Sequence, residues 1–243
     1  DVASDDAVTL STQYSTQWDS FAHIGSAFDA DGDGLPELCY YNGYRARHDI
    51  LPPETRTPQP MPLGVERFAE RPIQGRGVML DLAHHVGRAP QVLRMDDLHR
   101  VLQADGVTVQ RGDILCVHTG YADEILRMHK APDPGRVFAM CATLDGYDAA
   151  LLQWISDSGV AAIATDHYNL ERMESAIAPR GAHCVPLHQH CLFKRGIPLG
   201  ELWHLTELAA WLRSQGRSRF LLTAPALRLP GAVGSPVTPV ATV

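Results

Sequence analysis

The segment GVMLDLAHHVGRAPQVLRMDDLHRVLQADGVTVQRGDILCVHTG, Gly77 to Gly120, switches between two periodicities. GVMLDL is a continuous apolar run of the kind a strand carries when both of its faces are covered. Asp96 to Ala104 then repeats its apolar residues at helical spacing, and DILCVHTG reads as a second buried strand. Further along, Tyr147 to Asp157 places Ala150, Leu151, Trp154 and Ile155 on one helical face, Gly159 stops the helix, and VAAIATD follows as a third buried strand. The pattern predicts another helix over Glu201 to Leu212 and a closing strand over Arg219 to Leu229. This alternation specifies an α/β fold over residues 1–243, a single domain whose mostly buried sheet is covered by helices.

Two stretches depart from it. Residues 51–77 open with five prolines in a dozen positions, which disfavours helix interiors and central strands and predicts a lid or a dimer arm. The ending LPGAVGSPVTPVATV is rich enough in proline and glycine to predict an irregular C-terminal tail over residues 230–243.

Composition narrows the partners. Twenty-one basic against 28 acidic residues give a net charge of −7, which repels nucleic acid and anionic lipid. No apolar stretch approaches the ~20 residues of a membrane-spanning helix. The five cysteines form no C-x-x-C pair, which suits a reducing cytoplasm better than a disulfide framework or a thiolate zinc cage. A small-molecule substrate is the expected partner.

Candidate chemistry lies in two places. In QYSTQWDSFAH, read as a strand from Gln13, the side chains of Gln13, Ser15, Gln17 and Asp19 share one face and Tyr14, Thr16 and Trp18 the other. With His23 four residues beyond Asp19, this face suits a metal or proton-transfer site, or equally a half-exposed strand with its wet side outward. In VPLHQHCLFKRGIPLGELWHL, His188 and His190 alternate along a segment expected to be extended, and Glu201 opens the predicted helix. Together these residues make an oxygen- and nitrogen-rich set that suits manganese, zinc or magnesium better than a soft metal. Asp166 ends a buried strand and could orient a ligand histidine. Asp29, Asp31 and Asp33 in DADGDG match the opening of a calcium loop, but its twelfth position is Tyr40 rather than glutamate, so an Asp/Gly turn competes with calcium binding. The adjacent His84 and His85 read as structural. The chain carries no G-x-S-x-G elbow, phosphate loop or dinucleotide fingerprint.

The stretch Gln13 to His23 resembles the signature H-x-G-T-H-x-D-x-P-x-H of the bacterial metal-dependent cyclase-type hydrolases, which include one kind of kynurenine formamidase and isatin hydrolase. DILCVHTGY, GVAAIATDHYNLE, PLHQHCLFKRGIPLGE and LRLPGAVGSPVTP extend the resemblance along nearly the whole chain. It implies the swivelling β/β/α fold, a homodimer or homotetramer, and metal-assisted hydrolysis of a small cyclic or aryl amide. Asp19, His188 and Glu201 fall on the ligand positions, while Gln13 and Gln17 fall where that signature has histidines. His23 falls on the proton-handling histidine, Glu171 lies in a matching region as a residue behind the ligands, and Trp18, Phe21 and Phe28 would wall the substrate site. The Gln replacements leave open a metal-independent cyclase, dehydratase or isomerase using the same pocket, or a non-catalytic small-molecule binder.

Overall fold

A computed structural model describes residues 2–173 and 183–243. Its strands are β1 (Gln17–Asp19), β2 (Ser26–Phe28), β3 (Glu37–Cys39), β4 (Ile73–Asp81), β5 (Gln91–Leu93), β6 (Ile114–His118), β7 (Ala142–Leu144), β8 (Ala162–Thr165), β9 (Leu199–Glu201), β10 (Arg219–Ala224), β11 (Gly234–Pro236) and β12 (Val240–Thr242). Eight of them form one mixed sheet in the order β11-β1-β9-β8-β6-β4-β10-β12. The run from β4 through β6 and β8 to β9 is parallel, and β1 and β10 flank it antiparallel.

Every residue of β6 and β8 is buried, as their unbroken apolar sequences require of strands covered on both faces. Successive side chains feed opposite layers. Leu80 packs with Leu98, Val101, Leu151 and Ile155 beneath the helices Met95–Ala104 and Ala149–Ser158, whereas its neighbour Met79 joins Trp18, Trp203 and Leu212 under the helix Thr206–Ser214. Asp148 ties the first layer together, its carboxylate accepting from the backbone N–H of Ala150 at 3.2 Å and of Met95 at 2.8 Å. Gly159 ends the second of those helices at φ +65°, a left-handed conformation that favours glycine. The α/β reading therefore holds, with a large mixed sheet at its centre.

Several local expectations need correction. The tail predicted to be irregular supplies β11 and β12, which close opposite edges of the sheet, because Ser235 and Ala241 find ladder partners in Trp18 and Leu222. The proline-rich segment 51–77 is in part regular: Met61, Val65 and Glu66 are buried, the helix Glu66–Glu70 follows, and β4 begins already at Ile73. Glu201 closes β9 instead of opening a helix, which starts at Thr206. His188 and His190 are helical, in Pro186–His188 and the π-helical turn Gln189–Arg195. Among the described residues no helix is long and apolar enough to cross a membrane.

Candidate metal centre

The polar face predicted around Asp19 exists only in part. The strand runs from Gln17 to Asp19, and Gln13 and Ser15 belong to the turn before it. Sheet register does the rest. β1 lies between β9 and β11, with Gln17 opposite Glu201 and Asp19 opposite Gly234. The Gln17–Glu201 cross-strand pair is joined by Nε2 donating to Oε2 at 3.4 Å. From the helix across the pocket, His188 directs Nε2 to 3.4 Å from Glu201 Oε1 and 4.0 Å from Asp19 Oδ2. The turn after β1 returns His23 to the same place, held by its backbone N–H donating to Ser20 at 3.0 Å. Asp19, His23 and His188 each offer a ligand atom, all within 4.8 Å of one another.

Glu171 fixes His188. One of its oxygens takes Nδ1 at 2.7 Å and the His188 backbone N–H at 3.0 Å, while the other takes the Leu187 N–H at 2.5 Å. With Nδ1 engaged, Nε2 is the nitrogen left to face Asp19 and Glu201. Leu170 adds a backbone N–H to Glu201 Oε1 at 3.1 Å.

Burial sets the electrostatics. Loss of water raises the pKa of Asp19, with His23, His188 and the nearby Gln13 side chain drawing it back. Burial likewise pushes Glu201 up to about 8, against the pull of His188 and reinforced by Asp19. His188 loses hydration too, yet Glu201, Glu171 and Asp19 around it push it up to about 9. His23 is lowered, first by burial, and His188 adds to the shift while Asp19 opposes it. A cluster of three carboxylates about one imidazole is short of positive charge.

Hydrogen bonding shows the same deficit. Asp19 is fully buried and neither carboxylate oxygen has a donor, and Gln17 Oε1 is also without one. Gln13 Nε2, at the same place, has no acceptor. Leaving a buried polar group unsatisfied costs about 1–3 kcal/mol, more for a charge. Orphaned Asp19 oxygens facing histidine nitrogens, with the orphaned Gln17 Oε1 on the same strand face, are the donor set a divalent cation uses, so the residues present fit a metal.

A sequence profile of the cyclase family matches residues 3–172. The chain belongs to the cyclase family. A crystal structure described as a novel cyclase is 29% identical, with TM-score 0.76, covering 98% of this chain and 72% of the other. Isatin hydrolase A from Labrenzia aggregata, bound to benzyl benzoate, shares the fold at 12% identity and TM-score 0.62, covering 96% of this chain and 74% of its own. A "predicted metal-dependent hydrolase" from Bacillus stearothermophilus shares it at 16% identity and TM-score 0.53, covering 96% and 78%. No curated protein matches the sequence.

Other expected site residues of this cyclase-family chain lie elsewhere. Trp18 is no pocket wall: alternation along β1 turns it to the opposite face, where it is fully buried, its Nε1 donates to the Ala224 carbonyl at 2.9 Å, and its ring meets Trp203 edge-on at 4.9 Å. Phe21, half-buried next to the centre, stacks on Tyr41 and Phe68. Phe28 is exposed on the β2–β3 hairpin against Phe193. Asp166 does not orient His188; it receives the N–H groups of Thr119 and Gly120 and the Thr119 hydroxyl. Glu171 does that work. His190 turns away to Ser156 at 3.0 Å. Asp29, Asp31 and Asp33 are grouped closely enough for a cation, but their oxygens already accept turn N–H groups from Gly32, Asp33, Gly34 and Leu35. His85 pairs with Asp105 at 2.7 Å, as a structural residue would.

Two contributors escaped sequence reasoning. The Leu170 N–H is a backbone group that no residue type announces. Gly146 is the other, since a Cβ there would lie 2.5 Å from both Glu171 Oε2 and Pro186 Cγ. The D-G turn preceding Tyr147 was its signal.

Proposed function

We propose that this cyclase-family chain is a divalent-metal-dependent hydrolase that opens a C–N bond in a small cyclic or aryl amide. The observation that carries the reading is Asp19, a fully buried carboxylate with no hydrogen-bond donor, facing two imidazoles. Asp19, His188 and Glu201 would hold the ion, and such an ion supplies positive charge to an attacking water and to the carbonyl oxygen. The isatin hydrolase fold neighbours support this choice of bond.

His23 is the proton carrier. Among the described residues no side chain hydrogen-bonds its ring, in contrast to the clamped His188, so the imidazole is able to take a proton from water and return it to the leaving nitrogen. Its pKa, lowered mainly by burial, keeps it neutral and ready to act as the base. Phe21, with Tyr41 and Phe68 against its ring, would supply an apolar wall for the substrate. The cysteines of the described residues are all free, in keeping with action in the cytoplasm.

The test is a panel of aryl amides, lactams and cyclic imides with protein that has been stripped of metal and reloaded. Turnover that depends on added metal and falls at least a hundredfold in His23→Ala, with metal still bound, is expected. Turnover that survives exhaustive chelation removes the proposal.

A further inference from the structure

The centre contains two carboxamides, and their surroundings orient them differently. Gln17 Nε2 donates to Glu201 Oε2, and reversing the amide would set its oxygen lone pairs against a carboxylate. Its orientation is thereby fixed, with Oε1 buried and without a donor. Gln17 and Asp19 are two apart in β1, so this oxygen lies on the same face of the strand as the Asp19 carboxylate.

Gln13 is presented the other way round. Its Oε1 accepts the Thr12 hydroxyl at 2.8 Å. Its Nε2 is buried over Gly234, where a Cβ would lie only 2.2 Å away, and Gly234 is the register partner of Asp19. An amide N–H has no lone pair to give a cation, and its natural acceptor is the neighbouring carboxylate.

We propose that the two carboxamides divide their work: Gln17 Oε1 joins Asp19, His188 and Glu201 as a ligand of a single divalent ion, while Gln13 is not a ligand and sets its amide N–H beside Asp19, short of a hydrogen bond in the metal-free structure. This rests on the metal-dependent reading of the centre. It makes the set richer in oxygen than in nitrogen, a composition that suits manganese or magnesium. Gln17 thereby becomes a residue that determines metal selectivity, and Glu201 keeps its amide correctly turned.

Metal binding tests this without reference to turnover. Titration calorimetry with Mn²⁺ should give one ion per chain. Gln17→Ala should weaken it at least tenfold and Gln13→Ala by no more than about threefold. Gln17→Ala also removes the hydrogen bond to Glu201, so a second variant reads ligation directly. Gln17→His should raise the preference for Zn²⁺ over Mn²⁺ about tenfold and add a directly bound nitrogen to the pulsed EPR spectrum of the Mn²⁺ form, whereas Gln13→His should add none. Equal losses in Gln13→Ala and Gln17→Ala, a new nitrogen coupling from position 13, or two ions per chain would overturn the assignment. If Gln17→His does not fold, the two alanine variants decide. Mn²⁺ bound in the expected pattern with no amide or lactam turned over would sink only the hydrolase reading, and turnover with Gln13-dependent binding would sink only this one.

Discussion

Glu171 grips His188 at two points, the ring Nδ1 at 2.7 Å and the backbone N–H at 3.0 Å, from a site that is itself buried. The carboxylate therefore sets both which nitrogen carries the proton and how the ring is turned. It also links two distant segments, because Glu171 follows β8 while His188 lies in a helix that packs beside it, joined further by the Leu187 N–H.

Glu171→Gln should weaken metal binding by about 10–100-fold, the usual cost of losing a partner behind a ligand histidine. The variant retains an acceptor for Nδ1 but turns an NH₂ group toward the Leu187 N–H. Glu171→Ala leaves three buried donors unpaired and should lose about 1–3 kcal/mol for each one that water does not reach. Calorimetry for the metal and urea denaturation for stability separate the two effects; unchanged affinity in Glu171→Gln would show that the ring needs no orienting partner.

Metal affinity should climb with pH. His188 is held up to about 9 by its carboxylate neighbours, and a cation must displace the proton on Nε2. Below that value the apparent affinity should rise at least tenfold per pH unit, with one proton released from His188 and a further one below about 8, where Glu201 also holds its proton, and level off above about 9. The same group has the opposite sign in the metal-free protein: its raised pKa contributes stability that is complete below 6.5 and lost as pH rises through about 9. Titrations at several pH values in buffers of different ionisation enthalpy count the protons, and pH-independent affinity would contradict the picture.

Asp19→Asn should abolish metal binding and yet stabilise the metal-free protein. The wild-type carboxylate is stripped of water, lacks any donor and has its pKa raised chiefly by burial. A neutral amide in its place removes that charge, for a gain of about 1 kcal/mol, or ~2–4 °C in a chain of this size. Melting curves recorded in chelator read the difference directly, and a lower melting temperature for the variant would mean that the buried charge is satisfied in some other way.

How much of this was legible in the sequence depends on the range of the interaction. The strands β4, β6 and β8 could be read because a strand buried on both faces has a continuous apolar run, a local property. Gly159 marked its helix end for an equally local reason. The segment containing His188 and Glu201 was misjudged in conformation because its shape comes from partners: Glu201 is extended by pairing with β1, and His188 is helical above a carboxylate 17 residues upstream. The β11 and β12 strands are likewise supported by edges that no local pattern reveals. Asp19 stood out by residue type, and its separation from Trp18 was legible as strand alternation; the wall role that the family resemblance implied for Trp18 conflicts with that alternation, which lets only one of the two neighbours reach the pocket.

Gly200→Ala should destabilise the protein through the tryptophans behind the site. A Cβ at that position would lie 2.8 Å from Trp203 Nε1 and 3.0 Å from Trp18 Cζ3. Neither ring is free to retreat, because Trp203 Nε1 donates to the Gln17 carbonyl at 3.0 Å and Trp18 Nε1 to that of Ala224, and both are fully buried. Overpacking of this kind costs about 1–3 kcal/mol. The strain falls on the backbone that carries Gln17 and Glu201, so metal affinity should decline as well. Gly216→Ala is the control: φ is +59° there, but a Cβ meets nothing, so its cost is purely conformational and about 1 kcal/mol. Chemical denaturation of both variants, with Mn²⁺ titration of each, makes the comparison. Equal stability losses, with metal affinity intact in Gly200→Ala, would show that the tryptophan pair yields and that the strand bearing the ligands is softer than its packing implies.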